Sequence, residues 1–101
     1  MEKTMPDLNI AEIFYESGEI QYRYTRYLSE DSSCWVRHGL FKAYHPNGNV
    51  ASPGHYQDGA EHGAWRDLHA NVGKAAQGNY DQGNEVRVWK FWGEDGTPSD
   101  R

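Results

Sequence analysis

HGLFKAYHPNGNVASPGHYQDGAEHG, residues 38–63, decides the reading of this chain, because the next segment takes up the same pattern as HGAWRDLHANVGKAAQGNYDQGN, residues 62–84. Phe41, Trp65 and Trp89 stand 24 residues apart, and so do Lys42, Arg66 and Lys90. Tyr44, Leu68 and Trp92 keep that interval, as do the pairs Gly54/Gly78, Tyr56/Tyr80 and Gly59/Gly83, with no gap needed. A fixed period of roughly 20–50 residues is the signature of a repeat architecture, so the chain is read one unit at a time.

The unit reads as a β-hairpin. Asn47-Gly48 lies between FKAYHP and NVASPG, and an Asn-Gly pair between strand-like flanks predicts a two-residue type I′ turn. Asp95-Gly96 stands at the same place in the last unit. In the middle unit, Asn71-Val72-Gly73 moves the glycine by one position and predicts a longer turn. A turn at Asn47-Gly48 sets Phe41 across from Gly54, and the same arithmetic sets Trp65 across from Gly78. A large ring over a bare glycine shields open backbone, which explains why aromatic and glycine share one period. Sheet packing therefore outweighs a ligand site for these rings.

The pattern "Gly-x-Trp-Lys-x-Tyr, then Asn-Gly, then Gly-x-Tyr-x-x-Gly" resembles the MORN-repeat variant family, whose members are often described as antitoxins of the YwqK type. HGLFKAYHPNGNV, GHYQDGAEHGAW, GNYDQG and VWKFWGEDG carry the resemblance over residues 38–96, and FYESGEI at 14–20 looks like the tail of an earlier unit. It covers about three-quarters of the chain by the repeat reading. It implies an all-β fold, a single antiparallel meander of repeated hairpins of about 24 residues. It also implies an inhibitory role, although such repeats serve many partners and fold alone does not decide among them.

The chain of 101 residues fits one domain. The reading is an N-terminal tail over 1–9 and a repeat domain over 10–101, with units near 10–37, 38–61, 62–85 and 86–101. Phe14, Gly18 and Ile20 stand 30 residues before Tyr44, Gly48 and Val50, so the first unit carries six extra residues. The Ser-rich, acidic stretch LSEDSSCWV at 28–36 places that surplus in a loop. A helix over 6–14 ranks below a strand. In the last unit Trp89 and Phe91 point to one face, Lys90 and Trp92 to the other. The return strand of that hairpin is short. An open edge there needs covering, charge or pairing, so a homodimer or another partner is an expected outcome.

The 14 aromatic residues (Trp 4, Tyr 7, Phe 3) supply large buried areas from few positions. A formal charge of −5 counts against direct nucleic-acid binding, which calls for a basic stripe. The single Cys34 excludes an internal disulfide. No apolar run nears the roughly 18 residues of a membrane span and no signal-peptide pattern opens the chain, so no membrane insertion and a cytoplasmic location are expected.

Five histidines invite a metal or acid–base reading. His38/His62 and His45/His69 are repeat-equivalent, and Asp58, Glu61 or Asp67 could complete a zinc set. With no HxH or HExxH spacing, a loop position that caps backbone groups is the better reading. Cys34 reads as a small packing residue, and the serines sit in no nucleophile elbow. No glycine-rich loop leads into a helix to cradle phosphate. Arg23-Tyr24-Thr25-Arg26-Tyr27 is basic and aromatic, but Glu30 and Asp31 follow at once and an amphipathic strand is favoured. No catalytic, cofactor-binding or metal residue is assigned, and no cofactor is expected.

The acidic loops stand out as a set. The loops at 28–36, 57–62 and 81–86 follow corresponding strands and are expected along one sheet edge. Tyr27, Glu30, Asp31, Trp35, Asp58, Glu61 and Asp81 are the candidate partner-binding residues, suited to a protein with a basic surface. The expected function is a non-enzymatic protein-binding module. The resemblance makes it an antitoxin or immunity-type inhibitor that occludes another protein's functional site. The alternative is a repeat scaffold recruiting a partner or a membrane-associated complex, and an enzyme using Cys34 or the histidines comes last.

Overall fold

The computed structural model describes residues 7–99, and every regular element in it is a strand. In order these are β1 (Asn9–Phe14), β2 (Ile20–Leu28), β3 (Trp35–Tyr44), β4 (Val50–Gln57), β5 (Ala60–Glu61), β6 (Gly63–Leu68), β7 (Lys74–Asp81), β8 (Asn84–Trp92) and β9 (Pro98–Ser99). Consecutive hairpins build two antiparallel sheets, β1-β2-β3-β4-β5 and β6-β7-β8-β9. The all-β hairpin reading holds, with two sheets in place of one unbroken ladder. Asn9, placed in the tail by the sequence, opens β1. Residues 1–6 of that tail, and 100–101 of the last unit, lie outside the described residues.

One turn closes the hairpins along one edge. The Gly48 N–H donates to the His45 carbonyl (2.9 Å), the His45 N–H donates to the Asn49 carbonyl (2.8 Å), and Gly48 has φ +89°. Pro46 and Asn47 are thus the centre of a type I turn, with Gly48 as the left-handed residue of a three-residue loop. The expected type I′ turn does not form, since Asn47 lacks the positive φ it requires. Pro46 suits this turn, since proline presets the first central position of type I, but it is not required: the same turn forms elsewhere with Glu16, Ala70 and Glu94 in that place. The same two bonds recur at Tyr15–Glu19, His69–Gly73 and Gly93–Thr97. The middle turn is therefore no longer than its neighbours. Val72 takes the left-handed place itself, at φ +65°, and Gly73 does not.

The opposite edge uses tighter turns. Asp58-Gly59 (φ +48°, +92°) and Gln82-Gly83 (φ +50°, +87°) both have the double positive φ of type I′, and the longer connection around Ser29–Cys34 lies at the same edge.

Burial is concentrated in rings on one sheet face. The molecule measures 53 × 37 × 18 Å and its radius of gyration is 15.7 Å, against about 13 Å for a compact chain of this length. Among the described residues the buried apolar side chains are Ala11, Phe41, Trp65 and Ala76. Ring centroids run Tyr24–Phe41 5.9 Å, Phe41–Trp65 5.5 Å, Trp65–Tyr80 6.0 Å and Tyr80–Trp89 5.0 Å. The register is the expected one, Phe41 opposite Gly54 and Trp65 opposite Gly78. The covering ring differs, however. A Cβ at Gly54 would fall inside the indole of Trp65, and one at Gly78 inside that of Trp89. Each glycine seats the ring of the following hairpin, so the pairing joins neighbours across the sheet and not the two strands of one hairpin.

The two sheets meet where β4 and β6 lie side by side. The His55 carbonyl points across this seam, accepting from Trp65 Nε1 (2.9 Å) and the His62 N–H (3.0 Å). Backbone direction alternates along a strand, so Pro53, two residues earlier, faces β6 as well. Proline has no N–H to give, and the ladder stops there. Gln77, the residue 24 positions on, pairs with Lys90 within a ladder. Gly63 (φ +80°) turns the chain out of β5 into β6.

Candidate functional site: the acidic loop edge

The loop at 29–34 and the turns at 58–59 and 82–83 line one edge, and backbone bonds tie the two turns to neighbouring strands. The Gly59 N–H donates to the Arg37 carbonyl (2.9 Å) and the Gly83 N–H to the Glu61 carbonyl (2.8 Å). Tyr27 reaches from β2 to donate its hydroxyl to Asp58 Oδ1 at 2.8 Å. That bond holds the phenol proton in place and pushes the Tyr27 pKa above its ordinary value.

His38 stands in the same cluster, its ring edge-on to Tyr27 at 5.6 Å. Its Nδ1 accepts from the Asp58 N–H (3.1 Å), which fixes the tautomer with the proton on Nε2. With Nδ1 an acceptor, the approach of Asp58 Oδ1 to 3.5 Å is a contact and not an ion pair. His62 repeats this arrangement, accepting from the Gln82 N–H at 3.4 Å with Asp81 Oδ1 3.9 Å away. On the far edge His45 Nε2 lies 2.7 Å from the Leu68 carbonyl and His69 Nε2 2.9 Å from that of Trp92, both as donors. Four histidines thus bond to backbone groups. Among the described residues no three His, Cys, Asp or Glu side chains gather as a metal site.

The seven candidate residues fall into three groups. Tyr27 and Asp58 are brought together with His38, and Asp81 with His62. Asp31 turns inward on its own loop, accepting from Ser29 Oγ (2.7 Å), the Ser33 N–H (3.0 Å) and Ser33 Oγ (2.6 Å). The Ser33 and Ser29 bonds hold its carboxyl down at a pKa of about 2. Glu30 is exposed and Glu61 half-buried. Trp35 is 47% exposed, with the Arg26 guanidinium 4.0 Å over its ring. The two aromatic anchors are not a pair: Tyr27 stands opposite Val36 and Trp35 opposite Leu28, which sends their rings to opposite faces. Cys34 is an exposed free thiol.

The sequence reading missed what Lys42, Arg66 and Lys90 do together. Their interval was plain, but only the pairing of strands shows that they share the face opposite the rings.

Comparison with protein-family models, with curated proteins and with solved structures yields no match in any of the three. Among the described residues no helix is long and apolar enough to cross a membrane.

Proposed function

We propose that this protein is a non-enzymatic protein-binding module that presents its acidic loop edge to a partner with a basic surface. The observation that carries this reading is that Glu30 and Asp58 stand on connections of one edge, with Glu61 in β5 and Asp81 at the end of β7 beside the turns there. Carboxylates gathered in this way steer a basic partner and orient it. The bonds at the edge support the same reading, because the Tyr27–Asp58 bond and the backbone bonds from the turns to β3 and β5 hold the edge before binding and lower the ordering cost. Four of the five histidines are occupied with backbone groups, which favours binding over acid–base chemistry. Within this class, the resemblance to the MORN-repeat variant leads to an inhibitor of the antitoxin or immunity type in a cytoplasmic setting.

The test is affinity capture with the full chain from its native cell, followed by calorimetry on the recovered partner with Glu30→Lys and Glu61→Lys. A basic partner whose affinity drops at least tenfold in the double variant supports the edge. A partner that binds both forms equally moves the site elsewhere.

A further inference from the structure

The face opposite the rings carries a charge of the other sign. In register across the sheet, Arg23 stands opposite Lys42 and Lys42 opposite Pro53; beyond the seam Arg66 stands opposite Gln77 and Gln77 opposite Lys90. Directly opposed residues share a face, so Arg23, Lys42, Arg66 and Lys90 form one row at right angles to the strands. All four are exposed. They are four of the ten Lys and Arg residues in a chain whose formal charge is −5. Only Arg23 has an ion-pair partner among the described residues, Glu12 at 3.8 Å.

A second row lies beside the first, two residues along each strand. It includes Leu40, 62% exposed, then His55, Ala64 and Val88, 81% exposed. Between them the rows floor an open groove of about 570 Å³. Strands lie about 4.8 Å apart, and Lys42, Arg66 and Lys90 sit on every second strand, so the cations recur about every 10 Å. An α-helix laid along the row rises about 10.5 Å in seven residues, bringing every seventh side chain over a cation. Arg23 to Lys90 then spans roughly 24 Å, or about sixteen helical residues.

We infer that this face binds an acidic amphipathic helix of a partner protein, with carboxylates at seven-residue spacing over the cation row and apolar side chains over Leu40 and Val88. This site is separate from the loop edge and does not rest on it. A nucleic acid fits the face less well. A duplex presents one charge per about 1.7 Å of axis, roughly fourteen along this row, against four cations. The rings of Phe41, Trp65 and Trp89 lie on the other face and offer bases no platform between the cations.

The experiment is calorimetry of the full chain with a synthetic helical peptide carrying Glu at every seventh position and Leu three and four residues on. A peptide with Lys for each Glu, a random-sequence DNA duplex and vesicles one-third phosphatidylserine serve as the other arms. Binding of the acidic peptide is expected, weakened at least tenfold by Arg66→Glu, weakened by salt, and unchanged in Glu30→Lys/Glu61→Lys. Should Arg66→Glu lose the native circular dichroism spectrum, Lys42→Gln/Lys90→Gln is expected to give the same loss of affinity. No binding of the acidic peptide overturns the inference, as does binding that survives both sets of face substitutions. Stronger binding of the duplex or the vesicles would also overturn it, and would make the row a polyanion or lipid surface. None of these results bears on the loop edge, which its own variants test.

Discussion

Gly54→Ala places one methyl group where the indole of Trp65 now lies. In an open strand position the change would help, since alanine costs the unfolded chain about 0.5–1 kcal/mol less in backbone entropy than glycine. Here the ring must move. Overpacking of a filled site costs about 1–3 kcal/mol. A displaced indole also gives up the Nε1 bond to the His55 carbonyl, worth about 0.5–1.5 kcal/mol. The costs outweigh the gain, and the net destabilisation is about 0.5–4 kcal/mol. Urea unfolding followed by circular dichroism reads this directly as a lowered midpoint at constant slope. A double-mutant cycle then identifies the ring. In a Trp65→Ala background the penalty should vanish and turn into a small gain, while in a Phe41→Leu background it should persist, since Phe41 is the register partner and not the cover. A Gly54→Ala protein as stable as the parent would falsify the seating of the indole. A penalty relieved by Phe41→Leu instead would assign the cover to the wrong strand.

Four further outcomes are expected. Trp65→Ala alone should lose about 3–5 kcal/mol, as large core truncations do, and a loss under about 1 kcal/mol by the same denaturation would show the ring to be dispensable. Val72→Gly should stabilise: a left-handed L-residue costs about 1–2 kcal/mol, the added glycine entropy returns about 0.5–1, and the exposed side chain loses little burial. A melting temperature below the parent's would contradict that strain. The Asp31 carboxyl, followed by NMR, should titrate near pH 2 and not near 3.8. Because its folded pKa is lowered, its contribution is present above about pH 3.8 and is lost as pH falls towards 2, and a midpoint near 4 would dissolve the Ser29–Ser33 clasp. Cutting Glu30 to Ser32 out of the loop, which leaves three residues to join Leu28 to Trp35, should leave thermal stability nearly intact, since closure entropy changes slowly with length, yet weaken edge binding at least tenfold. Unchanged affinity in calorimetry at matched salt would remove the loop from the site.

Much of the fold could be read from the sequence because its signals are local. A turn at Asn47-Gly48 predicted the register of Phe41 with Gly54, which is kept because a bulge at Ala43/Tyr44 offsets the extra loop residue, and the Asn-Gly and Asp-Gly pairs located the hairpin ends. The turn type escaped because Asn47-Gly48 fits equally a three-residue loop with Gly48 alone left-handed, and only the backbone bonds separate the two geometries. The covering ring escaped for a different reason. Register is a property of two paired strands, whereas the seating of Trp65 on Gly54 joins two hairpins whose relative placement no interval states. At the edge, the loop intervals set Asp58 and Asp81 beside the turns, where the structure has them. That Asp31 would turn inward depends on the hydroxyls of Ser29 and Ser33, and the opposite facing of Tyr27 and Trp35 depends on strand pairing.

The missing N–H at Pro53 has a mechanical consequence. A sheet held by a continuous ladder bends stiffly, because every strand pair shares bonds spaced along its whole length. At the β4–β6 boundary the two sheets are joined instead by side-chain bonds and isolated backbone bonds: Trp65 and His62 to the His55 carbonyl, Ser52 to Asp67, His45 to the Leu68 carbonyl, Asn47 and Asn49 to the Ala70 carbonyl, and Gly83 to the Glu61 carbonyl. Such a joint works as a crease. Lys42 stands on one side of it and Arg66 on the other, so the angle between the two sheets sets the distance between those two charges. A rigid ligand would be measured against that angle, and a crease stiffened by Pro53→Gln would measure more strictly.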